Sequence, residues 1–122
     1  TLSALKILKK KRIISIVQPH RYSRLKNTFT QFCSSFDKSN ITIFLPVYEA
    51  GEKKIGRYNS KYLAKTIKKN GKKNIYYCQN AEELENILII NLRKNDLVVF
   101  MGAGSISKMA HEFVSKYIML NK

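Results

Sequence analysis

The chain has 122 residues, 44% of them apolar and 11% aromatic, and its 23 Lys and Arg against 8 Asp and Glu give a formal net charge of +15. That length suits one domain, and an apolar share near the globular average excludes a disordered basic tail or a collagen-like repeat. No apolar run approaches the ~18–20 residues of a membrane span, and Cys33 and Cys78 alone, with no CxxC or Cys/His spacing, exclude a disulfide scaffold and a zinc site.

A soluble protein with free thiols in a reducing, cytoplasmic setting is the expectation, since Lys9, Lys10, Lys11 and Arg12 precede only a short apolar run without a cleavage pattern. The opening at Thr1, without Met, suggests a piece of a longer chain. The charge admits a polyanion partner. However, 18 of the 23 basic residues are Lys, and Ile and Asn abound, as AT-rich codon usage produces. The expectation is therefore no specific nucleic acid, with a basic nucleic-acid-binding module kept as the alternative.

In chain order, Leu2, Leu5 and Leu8 recur at helical spacing before the lysine run, so the chain begins in or at the end of a helix. Residues 12–17 read as a buried strand entering a loop at Gln18-Pro19. Leu25, Phe29, Phe32, Cys33 and Phe36 then fall on one stripe of a single helix. A second strand over 41–45 is broken by Pro46. A long glycine-containing connection leads to Asn59 or Ser60 as N-cap of a helix with Leu63, Ala64 and Ile67 inward. Asn70-Gly71 stops that helix, and a third strand covers 74–78.

Asn80 and Glu83 have capping-box spacing, ahead of Leu84, Ile87, Leu88 and Asn91 on one helix side. The fourth strand, 97–101, runs into Gly102-Ala103-Gly104-Ser105, and Ile106, Met109, Ala110, Phe113, Val114 and Tyr117 form the stripe of a last helix. Four strands alternating with four helices predict an α/β fold of the Rossmann-like, doubly wound kind, a mainly parallel sheet with helices on both faces. In such sheets ligands sit beyond the strand carboxyl ends. The loops at 18–24, 47–58 and 102–105 are therefore expected to share one edge.

The first of these, Gln18-Pro19-His20-Arg21-Tyr22-Ser23-Arg24, offers two guanidiniums and an imidazole where a strand gives way to a helix. Arg21 and Arg24 can grip a carboxylate or phosphate through paired N–H donors, aided by the helix N-terminus. The alternative is that the arginines only solvate a first helical turn while His20 caps or packs. The Gly102-Ala103-Gly104-Ser105 turn departs from a dinucleotide fingerprint because Ser107 replaces its third glycine and no acidic residue follows ~20 positions on. No phosphate-binding GxxGK[ST] motif, Ser-His-Asp set, paired carboxylates or HExxH occurs, so neither catalytic residues nor a resident metal are expected.

Taken together, the 18–24 segment, Val47-Tyr48-Glu49-Ala50-Gly51-Glu52, and the run from Asp96-Leu97 through Gly102-Ala103-Gly104-Ser105-Ile106 resemble the C-terminal domain of the UDP-N-acetylmuramate:L-alanine ligases, Mur ligases of peptidoglycan synthesis. The resemblance extends from about Thr1 to the last helix, so that 1–122 corresponds to that domain. It implies a three-domain cytoplasmic enzyme. An N-terminal domain would hold UDP-N-acetylmuramate and a central domain ATP and magnesium, both outside this chain, with no cofactor bound within it.

The implied reaction joins L-alanine to the muramate carboxylate through an acyl phosphate. His20, Arg21 and Arg24 would orient the carboxylate of alanine or product, and Tyr48, Glu52, Gly102, Gly104 and Ser105 would line the cleft. The implied partners are the two substrates and the enzyme's other domains, with neither a membrane nor a specific nucleic acid. Glu49 stands where the family often has Pro and Ser107 where Gly is frequent. A strand and a His-rich loop are expected upstream of Thr1. A stand-alone binder of small carboxylates, using the same arginine pair, is a further alternative.

Overall fold

The computed structural model describes residues 12–102, 106, 108 and 110–112. Its elements are β1 (Ile13–Gln18), α1 (Tyr22–Asn27), α2 (Phe29–Ser34), β2 (Ile41–Phe44), α3 (Ser60–Lys69), β3 (Ile75–Tyr77), α4 (Ala81–Asn91) and β4 (Leu97–Gly102). The strands form one all-parallel sheet in the order β3-β2-β1-β4. The fold is α/β and Rossmann-like, as the alternation of strands and helices predicted.

Every residue of β1 is buried, which explains the unbroken Ile-rich reading of a strand covered on both faces. Ile13 and Val17 point to one face, where they meet Leu25, Phe36, Phe44, Leu63 and Ile67. Ile14 and Ile16 point to the other, with Ile41, Ile43, Leu84, Leu88 and Ile106. Thus α1, α2 and α3 cover one face while α4 and the helical Ile106 cover the opposite one. Handedness accounts for this split. The first two crossovers step outward from β1 in one direction and the third returns past β1 the other way, so connections of one hand must change faces.

The single helix expected to carry Leu25 through Phe36 is two short ones. Thr28 (φ −114°, ψ 18°) leaves helical geometry, with both its N–H and its Oγ1 donating to the Arg24 carbonyl. The apolar stripe survives the break, because all five side chains still pack in the first core. Phe29 stacks on Tyr62 at 5.1 Å, with Tyr58 edge-on at 5.5 Å, fastening the end of the long connection to α2. Asn59, rather than Ser60, caps α3 by accepting from the Tyr62 N–H at 2.8 Å. Asn80 caps α4 as the spacing predicts, while Glu83 reaches back to the Gln79 N–H at 2.7 Å, one residue beyond the usual box.

At the amino ends of the strands, Arg12 forms a two-point pair with Asp96, Nε to Oδ1 at 3.0 Å and NH2 to Oδ2 at 2.6 Å, and also donates to the Asn91 carbonyl. Burial alone would raise the Asp96 pKa. The bonds from Arg12 and the Arg93 N–H overcome it and hold the carboxyl below its usual range. Among the described residues no helix is long and apolar enough to cross a membrane. The helix expected at Leu2, Leu5 and Leu8, and Met109, Phe113, Val114 and Tyr117 of the last helix, lie outside the described residues.

Candidate functional site

With strand order β3-β2-β1-β4, chain direction across the sheet reverses at β1, and the crevice of a doubly wound fold opens beyond the carboxyl ends of β1 and β4. Gln18 and Gly102 are register partners there. The two backbones come so close that a Cβ on Gly102 would lie 2.5 Å from the Gln18 carbonyl oxygen, and Gly102 holds φ 147°, so glycine is required on both counts. Gly104 and Ser105 lie outside the described residues.

The 18–24 and 47–52 segments meet at this edge. Tyr48 donates its N–H to the Pro19 carbonyl and accepts from the Arg21 N–H, both at 2.8 Å, extending the parallel pairing past the end of the sheet. The His20 and Tyr48 rings stack at 5.6 Å, inclined by 17°. Arg21 adopts φ 67°, ψ 143°, a conformation that costs a side-chain-bearing residue about 1–3 kcal/mol and persists only where the surroundings impose it. Arg24 follows one turn later, and both arginines are exposed.

The helix N-terminus expected to help bind a ligand anion is already engaged. α1 is six residues long, and Ser23 donates its N–H (3.1 Å) and its hydroxyl (2.5 Å) to the two oxygens of Glu52. These two bonds, with the Tyr22 N–H and the Arg21 charge acting the same way, hold the Glu52 carboxyl below its usual range. Glu52 therefore joins the two loops; of the residues expected to line a cleft, neither it nor Gly102 borders the open cleft beside this junction.

Beside this junction is an open cleft of about 550 Å³, bounded by Gln18, residues 45–51, Gln79 and Asn80. Tyr48 lines it while its ring stacks on His20. His20, Arg21 and Arg24 stand outside it, so the structure brings His20 to Tyr48 and Arg21 to the Tyr48 backbone but does not gather the three side chains into one pocket. Gln18 Nε2 reaches the Pro46 carbonyl at 3.4 Å. Sequence reasoning did not select Gln79 and Asn80, which follow β3 as Gln18 ends β1; their position at a strand carboxyl end was the available signal.

Burial pushes the Cys78 thiol up to about 12, so it stays a neutral core group rather than a nucleophile. Among the described residues no three His, Cys, Asp or Glu side chains assemble to hold a metal ion. What the arrangement can do chemically is receive an anion at exposed guanidiniums whose backbone is held in advance.

No protein-family model matches the chain. A UDP-N-acetylmuramate--L-alanine ligase of Sulfurihydrogenibium sp. is 43% identical over 119 residues, 97% of this chain and 26% of that protein. Proteins of the same name from Prochlorococcus marinus and Parvibaculum lavamentivorans are each 39% identical, over 86% and 90% of this chain and 22% of their own length. The chain thus spans about a quarter of the relatives it matches, and through homology to that segment of the UDP-N-acetylmuramate--L-alanine ligases it belongs to the Mur ligase family.

Proposed function

We propose that the chain serves as the C-terminal, substrate-closing domain of a UDP-N-acetylmuramate--L-alanine ligase of peptidoglycan synthesis, acting in the cytoplasm. The observation that carries this reading is the arginine loop. In a relative of those ligases, Arg21 and Arg24 project from a segment locked to its neighbour at the strand carboxyl edge. In the proposed reaction the amine of L-alanine attacks an activated muramate carboxyl group, forming the amide and releasing phosphate. ATP and magnesium belong to the other parts of such an enzyme, and no step through them is assigned to this chain.

Its own contribution is positioning. Arg21 and Arg24, with His20 beside them, hold the carboxylate of alanine or of the product, which sets the amine toward the acyl carbon and fixes its distance before reaction. Each guanidinium–carboxylate contact is worth about 1.5–3 kcal/mol, or roughly 10–100-fold.

The test uses the complete reading frame and follows phosphate release with ATP, UDP-N-acetylmuramate and L-alanine, omitting each in turn. Release is expected only with all three. Arg21→Ala and Arg24→Ala are each expected to lower kcat/KM for L-alanine ~10–100-fold. Unchanged kinetics in both variants would remove the assignment.

A further inference from the structure

Glu52 presents a contradiction in charge. A carboxylate beside two arginines that await an anion repels that anion, and in bulk water a like charge about 6 Å away weakens binding roughly threefold. Yet both Glu52 oxygens are committed, and both to Ser23, which lies between Arg21 and Arg24 in the chain. Its place is fixed in turn by a tight turn in which the Glu52 N–H donates to the Glu49 carbonyl at 3.0 Å, with Ala50 at φ 49° and Gly51 at φ 86°.

Resting on the anion-site reading above, we infer that Glu52 is a positioning residue for that site: by clamping Ser23 it holds Arg21 and Arg24 in place for a ligand carboxylate, rather than competing with it. The strained Arg21 backbone supports this assignment. Such a conformation needs restraint on both sides: the Tyr48 carbonyl accepts from the Arg21 N–H on one, while on the other the Leu25 N–H donates to the Arg21 carbonyl and Glu52 grips Ser23. A ligand that displaced Glu52 would gain the Ser23 donors and lose the restraint that orients the guanidiniums. One that leaves it in place meets both arginines already set.

The two roles predict opposite signs. We would titrate N-acetyl-L-alanine, a monocarboxylate, into the full 122-residue chain at low salt, using wild type, Arg24→Ala, Glu52→Ala and Glu52→Gln, with each variant's fold checked by its melting curve. Positioning predicts that Glu52→Ala binds the probe at least tenfold more weakly although a negative charge has been removed. Glu52→Gln, which keeps one acceptor oxygen for Ser23, should fall between. Tighter or unchanged binding by Glu52→Ala would overturn the inference and make Glu52 a competitor or a bystander. Should Glu52→Ala fail to fold, Glu52→Gln decides by the same sign. Absence of saturable binding in wild type, or wild-type affinity in Arg24→Ala, would instead remove the anion-site reading and the inference with it.

Discussion

Replacing Arg21 in two ways separates what its side chain does from what its backbone costs. Arg21→Ala and Arg21→Gly both delete the guanidinium, but only alanine retains a Cβ at φ 67°, ψ 143°. That conformation costs a non-glycine residue about 1–3 kcal/mol, whereas glycine adopts it freely at an unfolded-state entropy cost of about 0.5–1 kcal/mol. Arg21→Gly should therefore exceed Arg21→Ala in stability by about 0.5–2 kcal/mol. With an unfolding entropy of about 2.1 cal/mol/K per residue over 122 residues, each kcal/mol moves the melting temperature by about 4 °C, so a gap of about 2–8 °C is expected. Urea midpoints give the same difference isothermally. Neither variant should bind a carboxylate like wild type, so the glycine variant would gain stability over alanine without regaining function. Equal stabilities, or a more stable alanine variant, would refute the claim that the arginine loop stores backbone strain.

Gly102→Ala should cost about 2–4 kcal/mol, because the new Cβ meets the Gln18 carbonyl oxygen at 2.5 Å and strand backbone must move; a loss below about 1 kcal/mol in urea denaturation would contradict that approach. The Asp96 pair predicts a pH dependence of definite sign. Its folded pKa lies below the unfolded value, so its stabilisation is complete above the unfolded carboxylate pKa of about 3.9 and disappears as pH falls through the lower folded value. The stability difference between wild type and Asp96→Asn should accordingly be largest near neutrality and shrink below about pH 4. A difference that stays constant from neutral to strongly acid solution would show that the ionised pair contributes nothing.

What could be read from the amino-acid order follows the range of the forces involved. The β1 and β2 runs were legible because both faces of a parallel sheet are buried, and the Asn80 cap because its partner is three residues away. The break at Thr28 was not legible, since Leu25, Phe29 and Phe32 keep the helical period across it. Nor was the Arg12–Asp96 pair, whose members are 84 residues apart. At the site, the residue types in 18–24 suggested an anion receptor, but periodicity carries no information that Glu52 engages Ser23 or that His20 lies on Tyr48. Gly102 was recognisable as a turn glycine. Its reason, the carbonyl of Gln18, depends on the register of strands that meet only in the folded sheet.

That register has a temporal side. β1 and β2 are joined through α1 and α2, and β2 and β3 through α3, so each of those ladders closes a shorter loop. The β1–β4 ladder instead spans 84 residues from Ile13 to Leu97. Loop-closure entropy rises with length, and distant pairings are the slow ones. During synthesis, most of this chain must emerge before Gly102 can reach Gln18. The arginine loop, bonded through Tyr48 to a segment only about 30 residues on, can take its shape earlier. The β4 edge beside it is added afterwards, so that one part of the sheet's carboxyl edge is assembled locally and the other waits until residue 102 has been made.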